Sequence, residues 1–146
     1  MNVRIVVADE RQAHFFDTST ATAPLAPCGS LQNPTGGLKD IDLESDRPGR
    51  RFGGTGQHHG VDGERSTERH ATAQFAREVA RKIDVDRVKH EFDKLVLVAG
   101  PRMLGLIRQE LPATCRDVLA GEVSKDLLQQ GAEVIRAVIP RDVFFH

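Results

Sequence analysis

The sequence predicts a mixed α/β fold, a five-stranded sheet with helices packed on its faces. Three observations point to it. Two β-branched and aromatic runs joined by a tight polar turn open the chain, a polar glycine-rich stretch follows, and strand and helix signals then alternate to the end.

Val3 to Ala8 (VRIVVA) ends in Asp9-Glu10-Arg11, and Ala13 to Asp17 follows at once, which reads as a hairpin. A third strand is expected between Leu25 and Leu31, where Pro24, Pro27 and Gly29 restrict it to an edge position. At about 33–64 lies a long loop carrying eight glycines, from Gly36 to Gly63. A loop of that length in a compact domain is either functional or disordered. Ser66 or Thr67 is expected to cap a helix with Glu68 near its positive end. Ala71, Phe75, Val79 and Ile83 recur every four residues, so one face is apolar, and the helix runs on towards His90 with a break near Asp84.

Leu95 to Ala99 (LVLVA) shows no alternation, as in a central strand covered on both faces. Gly100-Pro101 starts the next helix, whose buried stripe is Leu104, Ile107 and Leu111, and Pro112 stops it. Val118 to Val123 is the last strand, and Leu127 to Ile139 a final amphipathic helix before the tail Val143-Phe144-Phe145. Hairpin-linked strands followed by crossovers give, most simply, a ribonuclease-H-like layer. Strands one, three, four and five then run parallel and strand two opposes them. Their carboxyl ends meet at one edge, which gathers Asp9, Arg11, Arg102, Lys125 and Asp126. Ligands of open α/β sheets favour that edge.

The chain of 146 residues fits one domain, 1–146. Its longest apolar run is Leu95 to Ala99, far short of the ~20 residues of a membrane span, so no membrane insertion is expected. The apolar stretch Ile5 to Ala8 ends too early for a secretory signal, which leads to an expected cytoplasmic location. Cys28 and Cys115 lack metal or redox spacing; inert thiols are expected, with one disulfide left open. Lys plus Arg (20) nearly balance Asp plus Glu (21), so any site for nucleic acid must be local.

Residues 45–59 hold Arg47, Arg50 and Arg51 with Gly53, Gly54 and Gly56 and a single acid, Asp46. Arginine forks match phosphate oxygens and glycines admit a close ligand, so RNA or another phosphate ligand fits. A solvated loop accounts for the same residues. His58, His59, Asp62 and His70 lack zinc spacing, so neither a metal nor a cofactor is expected. Asp9 and Asp126 suit general acid/base or metal-assisted nuclease chemistry at the edge, or simple pairing with Arg102 and Lys125. The Phe144-Phe145 tail either folds back on the core or buries against a second copy, giving a homo-oligomer.

Ser45-Asp46-Arg47-Pro48-Gly49-Arg50, His70 with Phe75-Ala76-Arg77-Glu78, Leu95 through Gly105, and Lys125-Asp126-Leu127 occur here in an order that resembles the bacterial host attachment protein family over essentially the whole chain. The resemblance implies an indirect role in attachment to host cells. That family is in turn similar to the middle domain of archaeal and eukaryotic class I release factors, whose Gly-Gly-Gln loop promotes hydrolysis of peptidyl-tRNA. Here Gly53-Gly54-Thr55-Gly56-Gln57 stands in place of that loop, with Thr55 and Gly56 interrupting the triplet. Three readings follow: a binding or regulatory module with a phosphate or RNA ligand at the carboxyl edge, a release-factor-like hydrolase with Gln57 catalytic and the ribosome or tRNA as partner, and a structural or oligomeric partner protein.

Overall fold

A computed structural model describes residues 1–34 and 57–145, for 57–66 the backbone only. The elements are β1 (Val3–Ala8), β2 (Gln12–Thr18), β3 (Ala26–Gln32), α1 (Gln57–Val88), β4 (Lys94–Ala99), α2 (Pro101–Glu110), α3 (Ala113–Asp117), β5 (Leu119–Ser124), α4 (Ala132–Val138) and a 3-10 turn (Arg141–Phe144). They form a mixed five-stranded sheet in the order β3-β2-β1-β4-β5. Strands β1, β4 and β5 run parallel, β2 opposes β1, and β3 opposes β2. The predicted strand directions therefore hold, and β3 occupies the edge that its prolines and glycine require.

Alternation along β1 divides the apolar residues between two cores. Val3, Ile5 and Val7 face Leu128, Ile135, Ile139 and Val143. Val6 and Ala8 face Phe75, Val79 and Ile83 of α1, Met103, Leu104 and Ile107 of α2, and Cys115 of α3. Strand β4, buried from Leu95 to Ala99, serves both cores, as its unbroken apolar run implies. Cys28 is the extra residue of a bulge, because Phe15 pairs with Gly29 and Phe16 with Pro27.

Several boundaries differ from expectation. Helix α1 starts at Gln57 instead of Ser66 or Thr67, since the apolar repeat that reveals a helix begins only at Ala71. The part of the expected loop from 57 onward is thus helical, and residues 35–56 lie outside the described residues. The helix also continues through Asp84 without a break. It closes with the N–H of His90 donating to Arg87 O and that of Glu91 to Asp86 O, while His90 takes φ 60°. This is a Schellman closure with histidine where glycine is usual. The short helix α3 carries too few residues to show a period. The last helix is seven residues long, with Gly131 at its start. Leu128 before it is anchored in the core without being helical. In the tail, Val143 and Phe144 pack onto the sheet, Phe145 stays exposed, and Lys94 Nζ donates to the carbonyls of Val143 and Phe145. Cys28 and Cys115 are both free thiols.

Candidate functional site

The parallel strands deliver the ends of β1, β4 and β5 to one edge of the sheet, and α2 begins there. Contacts tie the parts together. Asn33, just past β3, donates its N–H to Arg11 O at 2.8 Å and its Nδ2 to Glu10 O at 3.0 Å. Arg102, in the first turn of α2, reaches back to Glu10 at 3.3 Å. Gly100 caps α2 without a side-chain acceptor and no acid lies in its first turn, so the positive end of the helix dipole faces this edge. Lys125 and Asp126 follow β5 directly and are exposed.

The predicted residues thus separate into groups. Arg102, Lys125 and Asp126 come to the same edge. Asp9 does too, but its Oδ1 accepts the N–H groups of Arg11 and Gln12 at 2.7 and 2.8 Å. It holds the β1–β2 turn, the role such a residue has when a hairpin must close. The expected pairing partner of Arg102 was an aspartate; the residue it meets is Glu10. Arg47, Arg50, Arg51, Gly53, Gly54 and Gly56 lie outside the described residues. Gln57 is the first residue of α1, with its side chain outside the description. His70 is exposed, and among the described residues no group of three or more His, Cys, Asp or Glu could hold a metal ion.

Two features escaped sequence reading. At the opposite end of the sheet, Arg4 is 1% exposed and its guanidinium lies 2.6 Å from Asp17, 2.6 Å from Asp86 and 3.5 Å from Glu91, with the Phe92 ring beneath it at 5.1 Å. Burial alone would lower its pKa, but the hydrogen bonds to Asp17 and Asp86 prevail and hold it above the ordinary value. A charged residue inside the run VRIVVA was the available signal, since a central strand buries it only with acids close by. The second feature is a shallow groove of about 440 Å³ along α2, lined by Arg102, Gly105, Leu106, Arg108, Gln109 and Arg116. Positions 102, 105, 106 and 109 share one helical face, opposite the stripe Met103, Leu104 and Ile107, so helical spacing contained it.

Fold and edge define a class: an open mixed α/β layer whose carboxyl edge brings Arg102, Lys125 and Asp126 beside the start of α2. Among the described residues no helix is long and apolar enough to cross a membrane. The chain belongs to the family described as "Protein required for attachment to host cells", whose model matches residues 4–139. It is 31% identical over 49 residues to "Uncharacterized protein RP470" of Rickettsia prowazekii (strain Madrid E), a match covering 34% of this chain and 33% of that protein. Its structure is similar to the crystal structure of the archaeal translation termination factor aRF1, with a TM-score of 0.55 and 11% identity over 98% of this chain and 36% of that one. The chain therefore spans about a third of each. The predicted likeness to release-factor domains holds at the level of fold.

Proposed function

We propose that this chain is a binding module that acts indirectly in attachment to host cells and holds RNA through its phosphates at the carboxyl edge of the sheet. The observation that carries the reading is the meeting of Arg102, Lys125 and the uncapped start of α2 at that edge. Guanidinium, ammonium and helix N–H groups all favour phosphate oxygens. Arg47, Arg50 and Arg51 join the reading on sequence grounds alone. Glu10 and Asp126 limit the positive charge at the edge, so affinity should be moderate and strongly weakened by salt. Titration of labelled RNA at several salt concentrations tests this. Wild type should bind with a steep salt slope and Arg102→Ala/Lys125→Ala should bind more weakly with a shallower one; equal binding by the double variant defeats the reading.

One observation favours a second reading. Helix α1 starts at Gln57, so the sequence Gly53-Gly54-Thr55-Gly56-Gln57 runs directly into a long helix, on a fold similar to that of a translation termination factor. In that reading the Gln57 amide positions a water whose oxygen attacks the ester carbonyl of peptidyl-tRNA. The oxyanion collapses, the 3′ oxygen of the tRNA leaves with the proton, and the peptide departs as its acid. A peptidyl-tRNA assay with ribosomes, comparing wild type with Gln57→Ala, decides it: turnover lost in the variant supports hydrolysis, and no turnover in either removes it.

A further inference from the structure

The groove on α2 begins at Arg102 on that edge and continues along the helix to α3. Among the described residues its lining contains three arginines and no acid, in a chain whose net charge is −1. Arg102 and Arg108 are each engaged through Nη1 by a carboxylate outside the lining, Glu10 on the β1–β2 turn and Glu122 on β5. Those contacts hold the two guanidinium groups at separate places along the groove and, among the described residues, engage Nη1 of each. Arg116, from α3, has no ion-pair partner among the described residues.

Gly105 is the second, independent observation. It sits in the middle of a ten-residue helix, where glycine is less stable than alanine, and a Cβ built there meets nothing within 4 Å among the described residues. No neighbour in the described fold requires it. A missing side chain in the floor of a groove is the usual device for letting a ligand backbone come close.

We infer that the groove lined by Arg102, Arg108 and Arg116 over Gly105 is a docking track for the sugar-phosphate backbone of RNA, leading from the carboxyl edge down α2 to α3. The inference rests on the RNA reading above and gives it a path. Arg102 and Arg108 are six residues apart, about 9 Å along the helix axis, and are anchored to different elements. That spacing suits charges repeated along a polymer better than one small anion. Guanidinium forks present to phosphate the two-pronged geometry it accepts best. The other described lining residues are Gly, Leu and Gln, with no aromatic ring among them for a base to stack on, so the proposed contact is with the backbone and independent of sequence.

The test uses the full chain and a fluorescein-labelled RNA hairpin, followed by anisotropy across a salt series and alongside thermal melting. Arg116→Ala should weaken binding several-fold and lower the slope of log affinity against log salt by about one. Gly105→Ala should raise the melting temperature and yet weaken binding, a combination that simple damage to the fold cannot produce. A hairpin of unrelated sequence should bind equally well. If Arg102→Ala/Lys125→Ala loses binding while Arg116→Ala and Gly105→Ala bind as wild type does, the edge reading stands and the track is overturned. If wild type binds no RNA, both fall. If polyglutamate displaces the hairpin and binds more tightly than it, the occupant is an acidic peptide and the inference is overturned.

Discussion

The two ends of the sheet treat arginine in opposite ways. At the amino end, Arg4 is buried and met by Asp17, Asp86 and Glu91, and Lys82 adds a 3.2 Å contact to Asp86. At the carboxyl edge and along α2, Arg102 and Arg108 are about half exposed, and among the described residues each has a single carboxylate contact at the surface. A buried charge must find its partners inside the protein, so the first cluster belongs to folding. An exposed guanidinium gains little from a surface pair, so the second group is not tied to folding in the same way, and the proposed RNA track draws on it. The contrast teaches that partner count and burial together, more than charge itself, separate an arginine that holds the fold from one that serves it.

Breaking the amino-end cluster is the strongest challenge to that contrast. Asp86→Ala leaves Arg4 short of a buried partner and should cost about 3–5 kcal/mol in urea unfolding. Arg116→Ala should change stability by no more than about 0.5 kcal/mol. Comparable losses in the two variants would dissolve the distinction.

Cys115 gives the next largest effect and concerns the same face of the sheet as Arg4. Burial first, and then its hydrogen bond to Asp84, push its thiol up from the ordinary 9.0 to about 11. Between pH 9 and 11 the unfolded chain releases this proton and the native chain keeps it, so stability falls as pH rises through that window. Urea midpoints measured across it should decline for wild type and decline less for Cys115→Ala, and parallel declines would contradict the assignment. At neutral pH the native thiol should resist alkylation.

A smaller effect lies at the end of α1, next to the Arg4 cluster. Because His90 holds φ 60° at the Schellman position, His90→Gly should relieve the left-handed strain and stabilise the protein by about 0.5–1 kcal/mol after the entropy cost of glycine. A loss of stability instead would mean that the histidine side chain contributes to the cluster. Gly105→Ala sharpens the comparison from the other end, since its expected rise in melting temperature comes with weaker RNA binding.

The elements that were legible are those with a strong local pattern. VRIVVA and LVLVA are strands because β-branched and aliphatic runs fit a covered sheet, and Pro101 and Pro112 delimit α2. Arg102, Lys125 and Asp126 could be placed at one edge because strand direction follows from the order of hairpin and crossovers. The start of α1 was not legible because its first turns carry Gly60 and Gly63 and no apolar repeat. The turn-closing contact of Asp9 was not legible because a carboxylate that closes a turn looks the same, in sequence, as one that awaits a ligand.

The sequence by itself determined the strands and the apolar face of α1, since these depend on residues a few positions apart, and the strand directions, since these follow from the order of hairpin and crossovers. Only the tertiary structure decided that Arg4 meets Asp86 across 82 positions, that Glu10 and Glu122 anchor arginines of α2, and that Arg116 joins them at one groove. The physical reason is range. Periodicity and turn chemistry act along the chain, whereas the burial of a charge and the lining of a groove depend on which distant segments the sheet brings side by side.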